Sequence, residues 1–333
     1  MSKNNKKIYP ELRRRIVCFA GGNVVPKIIL EPLKDLDLEV VGITSMVDNG
    51  GSTGALRREF DILPPGDIRR HLLALSEAEE WKKELWNFRF GKNVEISPGH
   101  FGHNFANIFL GGLEHILGDF EKALEIAHQF LKVKGKALPA TLDKVQLRAE
   151  LEDGTIIEGE DRIDAEKYPN RGMKIKRIYL DPDGQGYPKA IKEIKTADFL
   201  ILGPGDLYSS ILPCFLPKGI KEAVKESKAK KIFICPLMTK NGETAGFTAK
   251  EFCAKTEEYI GAPLDFVIFN NLYPSQERVD AYKQKTEFLE ELFRAEEGLD
   301  KNKFFGADLL LDEGDIKHDK KKVIKLLKNL CKL

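Results

Sequence analysis

No part of this 333-residue chain approaches the roughly 18 apolar residues in a row that a membrane-crossing helix needs. The basic opening MSKNNKKIYPELRRR is followed by no apolar segment of the kind a secretory leader carries. An excess of charge is missing too, with 53 Lys and Arg against 52 Asp and Glu. That balance gives no electrostatic reason to expect a nucleic-acid or membrane partner. The five cysteines, Cys18, Cys214, Cys235, Cys253 and Cys331, form no C-x-x-C pair and lie mostly in apolar runs, so a disulfide framework is not expected. A soluble cytoplasmic chain with reduced core cysteines is the expectation. Two catalytic signatures are also lacking. There is no G-x-x-x-x-G-K-[ST], and AGGNVV is not G-x-G-x-x-G. A P-loop NTPase and the usual dinucleotide fingerprint are thereby disfavoured.

Short apolar runs are what the sequence does contain. RIVCFAG, EVVGITSM, ADFLILG, KKIFICP and DFVIFNN are rich in Val, Ile and Phe and bounded by turn residues, as buried parallel strands are. Helical patterns such as PKIILEPLKDL, KGIKEAVKESKA and AKEFCAKTEEYIG separate them. The alternation predicts an α/β fold, a doubly wound and mostly parallel Rossmann-like sheet, with FFGADLLL as a further edge strand. At the C-terminal end, Val323, Ile324, Leu326, Leu327 and Leu330 fall at helical core spacing, which predicts a docked helix rather than a membrane-surface one.

The middle of the chain breaks this rhythm. From about Asp67 to Val133 nearly everything reads as helix, so a helical insertion over 67–135 is expected beside the sheet. Its aromatic residues Trp81, Trp86, Phe88, Phe90 and Phe101 could line a pocket for an acceptor ring, and most of them are expected in the core. In DKVQLRAELEDGTIIEGEDRI, alternating residues flank Asp153-Gly154, which predicts a hairpin, and MKIKRIYL is expected to pair with it. An antiparallel flap over 142–181 is thus inserted in a single domain spanning 1–333.

The unusual residues cluster at the strand exits. RIVCF ends in Gly21, Gly22 and Asn23, while EVVGITSM ends in Asp48, Asn49, Gly50, Gly51, Ser52 and Gly54. ADFLIL ends in Gly203, Gly205, Asp206, Tyr208 and Ser209; KKIFIC ends in PLMTKNGETAG; DFVIF ends in Asn270-Asn271. In an open α/β sheet the ligand sits beyond the carboxyl ends of the strands, where helix N-termini point inward. Five glycine-bearing or polar exits on one edge predict a pocket for phosphate esters, with bare backbone at the glycines and hydroxyls at Ser52 and Ser209. Asp48, at a strand tip, suits Mg²⁺ binding or proton acceptance, and a turn aspartate explains it equally on local sequence. Asp206 suits an N-cap, a role compatible with phosphate binding. Arg57, Arg58, Arg69 and Arg70 flank the glycine loop and PPGD and could neutralise a diphosphate; a solvated helix face accounts for at least two of them as well. Asn104 and Asn107 begin an otherwise apolar helix and are read as facing the ligand. His100 and His103 lack the H-E-x-x-H pattern and an obvious third ligand, so a zinc site is not expected.

The ordered series AGGN with Pro26-Lys27, VDNGGSTGALRREF, LPPGDIRR, GHNFANI, VQLRAELEDGTIIEGE, ADFLILGPGDLYSSILPCFLPKGI, PLMTKNGETAGFTA and VIFNN resembles the CofD/YvcK family over nearly the whole chain. That family includes phospholactate transferases and the YvcK-type gluconeogenesis factors. GPGDLYSSILPCFLPKGI, MTKNGETAGFTA and the LEDG hairpin look more like the YvcK type; Pro26-Lys27 looks more like the transferases. The chain departs from the family at Gly22-Asn23-Val24, where a glycine-threonine-glycine run is usual. The resemblance implies a nucleotide diphosphate or nucleotide sugar as ligand, with Mg²⁺ as cofactor and Asp48 as the metal or catalytic position. It also implies that Gly21, Gly22, Asn104, Gly203, Gly205, Tyr208, Ser209 and Asn270 surround the nucleotide. Regulatory binding of a nucleotide sugar is the leading expectation. Transfer of a phospholactyl-type group to an alcohol is the alternative, and an interaction protein with a degenerate site is the third. A homodimer is expected, two-fold oligomers being commonest.

Overall fold

The computed structural model describes residues 13–97, 100–164, 173–285, 291–292 and 297–333. Seven short strands form the central sheet: β1 (Arg15–Phe19), β2 (Glu39–Thr44), β3 (Lys136–Pro139), β4 (Phe199–Leu202), β5 (Lys230–Ile234), β6 (Phe266–Asn270) and β7 (Phe304–Ala307). Their order is β7-β6-β5-β4-β1-β2-β3, and every neighbouring pair is parallel. Ile16, Val17, Cys18 and Phe19 of β1, like Leu200, Ile201 and Leu202 of β4, have no exposed surface, because helices cover both faces. FFGADLLL supplies the edge strand β7, as expected. β3 was not foreseen: KALP is four residues long, starts with lysine and ends with proline.

The chain runs outward from β1 through β2 to β3, then returns to pair β4 on the other side of β1 and continues outward to β7. The order therefore reverses between β1 and β4. At such a switch point the two following loops diverge in opposite directions and leave a crevice at the carboxyl edge.

Helices α1 (Gly51–Phe60) and α2 (Pro65–Ala74) follow β2; α3 (Glu80–Asn87), α4 (Phe105–Leu117) and α5 (Phe120–Phe130) follow in turn, and α6 (Lys320–Cys331) docks near the chain's end. The expected helical continuity is interrupted. Arg89–Ser97 and His100–Asn104 pair as antiparallel strands within it. The aromatic expectation is also corrected: Trp86 is buried, whereas Trp81, Phe88, Phe90 and Phe101 are 58%, 49%, 48% and 46% exposed. Trp86 packs on Phe109 and Phe130, and its indole N–H donates to the Arg69 carbonyl at 3.0 Å, so burial leaves its polar end satisfied. The other four project from the start of α3 and from the hairpin, which the core does not reach.

A separate three-stranded antiparallel sheet has Gln146–Leu151 at its centre, paired with Ile156–Glu158 and Ile175–Asp181. The turn at Asp153-Gly154 gives Gly154 a φ of 87°, a conformation that glycine adopts freely. After Glu158 the chain enters a short helix, Glu160–Asp164, that lies over the carboxyl edge of the main sheet and contacts the Leu207–Ile211 turn. In α6, Val323, Ile324, Leu327 and Cys331 are buried and Leu326 and Leu330 pack against the core, so its apolar stripe is docked. All five cysteines are free and buried.

Candidate functional site

The exits of β1 and β4 meet at the switch point. Gly21 N–H donates to the Ser210 carbonyl at 2.9 Å, and Gly203 N–H donates to the Phe19 carbonyl at 3.0 Å. Gly203 has a φ of 77° and precedes a cis peptide to Pro204. On the sequence alone the glycines leave amides bare for phosphate. Five of those amides are engaged within the protein: Gly21 and Gly203 as above, Gly22 with an Asp67 carboxylate oxygen at 2.9 Å, Gly50 with the Asp48 carboxylate at 3.0 Å, and Gly54 with the Gly50 carbonyl at 2.9 Å. Space is the other reason for glycine here. A Cβ on Gly21 would lie 2.4 Å from an Asp67 carboxylate oxygen, and one on Gly66 would lie 2.1 Å from an Asp48 carboxylate oxygen.

Two aspartates thus share this edge, near enough to interact, each packed against a glycine that leaves it room. Asp48 stands past the tip of β2, with Gly50 N–H and Thr53 as hydrogen-bond donors, and Asp67 stands in the first turn of α2, where the helix dipole favours its charge. Burial, then the charge of Asp67, push the Asp48 carboxyl above its ordinary value, and Arg70 opposes the shift. Arg70 pairs with Asp67 at 2.5 Å.

A third carboxylate comes from the flap. Glu160 is driven well above the usual range by burial and then by Asp48, Asp67 and Glu243, with Lys240 opposing. Asn49 anchors the flap to the glycine loop, its side-chain oxygen accepting the Asp161 amide at 2.9 Å. Opposite, Lys240 pairs with Asp164 of the flap, with Asp206 at 3.1 Å and with Glu243 at 3.4 Å. Glu243 in turn accepts the Tyr208 amide and the Ser209 hydroxyl, each at 3.3 Å. Asp67, Glu160, Asp164, Lys240 and Glu243 were not among the predicted site residues. LPPGDIRR and MTKNGETAG were noticed as motifs, but nothing local distinguishes their charges from solvated ones.

Several predicted residues act on the frame. Arg57 donates to the carbonyls of Asp48 and Val145, both at 3.0 Å, and so fixes the peptide of Asp48 and the start of the flap. Ser52 receives the Asn107 side-chain amide at 3.2 Å and lies 3.1 Å from His103 Nδ1. Asn104 caps α4, accepting the Ala106 amide at 3.0 Å. Asn104 and Asn107 are buried and hold the first turn of α1, and the Asn107 side-chain oxygen has no hydrogen-bond partner. Asn270 braces the exit of β6, donating to the Leu272 carbonyl and accepting the Leu309 amide at 3.0 Å. Arg58 is exposed, His100 lies against Gly51, and Arg69 points to a neighbouring cavity with Asn23.

Among the described residues no three His, Cys, Asp or Glu side chains are grouped as a ready-made metal cage. The donor set nevertheless suits a hard cation, because Mg²⁺ takes one or two carboxylates and completes its shell with water and substrate phosphates. Asp48 and Asp67 supply two such oxygen donors, and the charge of Asp67 raises the cost of charging Asp48. Among the described residues no helix is long and apolar enough to cross a membrane.

Residues 16–310 match the family described as 2-phospho-L-lactate transferase CofD. The gluconeogenesis factor of Bacillus subtilis (strain 168) is 36% identical over 326 residues, 96% of this chain and 98% of that protein. That of Halalkalibacterium halodurans is 40% identical over 250 residues, 75% of this chain and 74% of that protein. Among solved structures, protein BH3568 from Bacillus halodurans superposes with a TM-score of 0.84 at 34% identity, covering 95% of this chain and 99% of its own.

Proposed function

The chain belongs to the CofD family, and on that premise we propose that it is a gluconeogenesis factor of the YvcK type that binds a nucleotide sugar and regulates carbon flux or cell-wall precursor supply. The observation that carries this reading is the crevice at the β1/β4 switch point, roofed by the flap through Asn49 and Lys240. A diphosphate entering there meets Gly205, whose surroundings leave ordinary van der Waals room, the first turn of α1, and Ser209. The gluconeogenesis factor of Bacillus subtilis, matched nearly end to end, supports the regulatory part.

The interacting pair Asp48 and Asp67 favours a second reading, a Mg²⁺-dependent transferase moving a phospholactyl-type group from a nucleotide diphosphate to an alcohol. In the transferase reading Asp48 and Asp67 would hold the cation, which when bound would neutralise phosphate charge. Arg70 limits the charge on Asp67, and the flap excludes water. In the transferase reading Asp48 also orients the acceptor hydroxyl. The protein is proposed to work in the cytoplasm as a homodimer, which light scattering would test; the free, buried cysteines are consistent with a reducing compartment.

Thermal unfolding against UDP-N-acetylglucosamine, UDP, GDP and GTP, with and without Mg²⁺, separates the readings. Saturation at about 100 times the dissociation constant stabilises by roughly 2.7 kcal/mol. A uridine-sugar response that survives Asp48→Asn supports the binding protein. A guanosine response that needs both Mg²⁺ and Asp48 supports the transferase, and no response to any nucleotide removes both.

A further inference from the structure

Beside the crevice lies a cavity of about 600 Å³, within the size range of small-molecule sites. It is bounded by the segment after β1 and by α2 and α3, and none of Asp48, Gly203, Gly205 or Ser209 lines it. Its charges do not balance. Glu31 is engaged by Lys320 at 3.2 Å, Lys83 by Glu80 at 3.5 Å and Arg70 by Asp67 at 2.5 Å. Three cations remain: Lys27 with no partner among the described residues, Lys34 held only by the Ser76 carbonyl at 3.0 Å, and Arg69.

Arg69 is the telling one. It is 9% exposed, and its buried Nε has no hydrogen-bond partner. Burial and the neighbouring Arg70 pull its pKa down to about 10. Asp48 and Asp67 lie near enough to oppose that shift, but neither pairs with Arg69. A buried guanidinium with no hydrogen-bonded acceptor costs stability unless something else supplies one, and its fork geometry matches phosphate. We propose that this cavity is a second anion subsite, distinct from the nucleotide crevice, which takes a small phosphate-bearing polyanion between Lys27, Lys34 and Arg69. Arg70 lines the cavity while paired with Asp67, so occupancy draws on the same guanidinium that offsets the carboxylates of the crevice. The anion thereby acts as an effector of the crevice.

Inorganic pyrophosphate titrated into the full chain by calorimetry, with no nucleotide present, tests this independently of the nucleotide-sugar reading. Binding is expected to weaken at least about tenfold in Lys27→Ala/Lys34→Ala, charge-assisted bonds being individually worth that much. It should be unchanged in the charge-matched control Lys176→Ala/Lys189→Ala, whose lysines pair with Glu150 and Glu121 elsewhere. Arg69→Met should weaken pyrophosphate binding without lowering the melting temperature of the ligand-free protein. Absence of binding at millimolar pyrophosphate, equal affinity in the Lys27/Lys34 variant, or equal loss in the control would each overturn the proposal.

Discussion

The amide of Gly22 donates to a carboxylate oxygen of Asp67 at 2.9 Å, joining the exit of β1 to the first turn of α2 across 45 residues of sequence. Arg70 reaches the same oxygen at 2.5 Å. Asp67 therefore holds the glycine loop in place as well as adding charge to the crevice. Asp67→Ala leaves a partly buried amide and a guanidinium without their acceptor, and should cost about 1.5–3 kcal/mol in urea unfolding. Asp67→Asn keeps one acceptor and should cost less. Equal losses for the two would mean that the carboxylate's hydrogen bonds do not hold the loop.

Two glycines should respond to alanine in opposite directions. At Gly66 the added carbon meets an Asp48 carboxylate oxygen at 2.1 Å and the Thr53 hydroxyl at 2.4 Å, so α2 or Asp48 must move; a loss of about 1–3 kcal/mol is expected. At Gly112, inside α4, nothing lies within 4 Å, and alanine should gain roughly 0.5–1 kcal/mol from its better helix propensity. Denaturant midpoints of the two variants read both signs in one experiment.

Glu160 gives stability a descending dependence on pH. Its folded-state pKa lies well above the ordinary glutamate value, so the folded protein binds the proton more tightly than the unfolded chain does. Its contribution is present in acid and is lost as pH rises through the interval between the ordinary and the raised value. Glu160→Gln removes that loss. The variant should melt higher than wild type at pH 8 and no higher at pH 4, and a difference independent of pH would refute this account.

His71 has the opposite slope. Its ring is buried, its Nδ1 lies 3.1 Å from the Asp67 carbonyl, and burial pulls its pKa from 6.5 to about 4. Between those values the unfolded chain takes up a proton that the folded protein refuses, so stability falls as pH drops from about 6.5 towards 4. The full loss is on the order of 3 kcal/mol by linkage. His71→Leu should flatten this limb of the stability curve, whatever its effect at neutral pH.

How much of this was legible in the sequence depended on whether a signal was local. The five strands built from continuous Val, Ile and Phe runs could be read, because a strand buried on both faces has no other composition. KALP could not, since four residues ending in proline carry no period. The pairing of Arg89–Ser97 with His100–Asn104 was missed although Trp86, Phe88 and Phe90 alternate with the strand period, because the run ends at Gly91 and polar residues follow. At the site, Asp48 and the glycines were visible because they break a strand exit. Glu160 was not: in EGEDRID it is one of four acidic side chains in a polar turn. It becomes a site residue only when the flap folds back and Asn49 accepts the amide of Asp161, 112 residues further along. The glycine-rich exits read as backbone open to phosphate; at Gly21, and at Gly66, which that reading does not single out, a carboxylate occupies the space a Cβ would need.

Lys240 is where flap and crevice depend on one charge. Its ammonium serves Asp164, Asp206 and Glu243, and Glu243 is only 3% exposed. Without it, Glu243 would keep only the Tyr208 amide and the Ser209 hydroxyl, two neutral donors for a buried carboxylate. Breaking a buried pair by removing one partner costs about 3–5 kcal/mol, so Lys240→Met should be strongly destabilised at pH 7.5. Because Asp164 loses its anchor as well, limited proteolysis should cut the flap faster in the variant, before global unfolding. A small deficit with unchanged flap cleavage would mean that Lys240 contributes packing rather than charge.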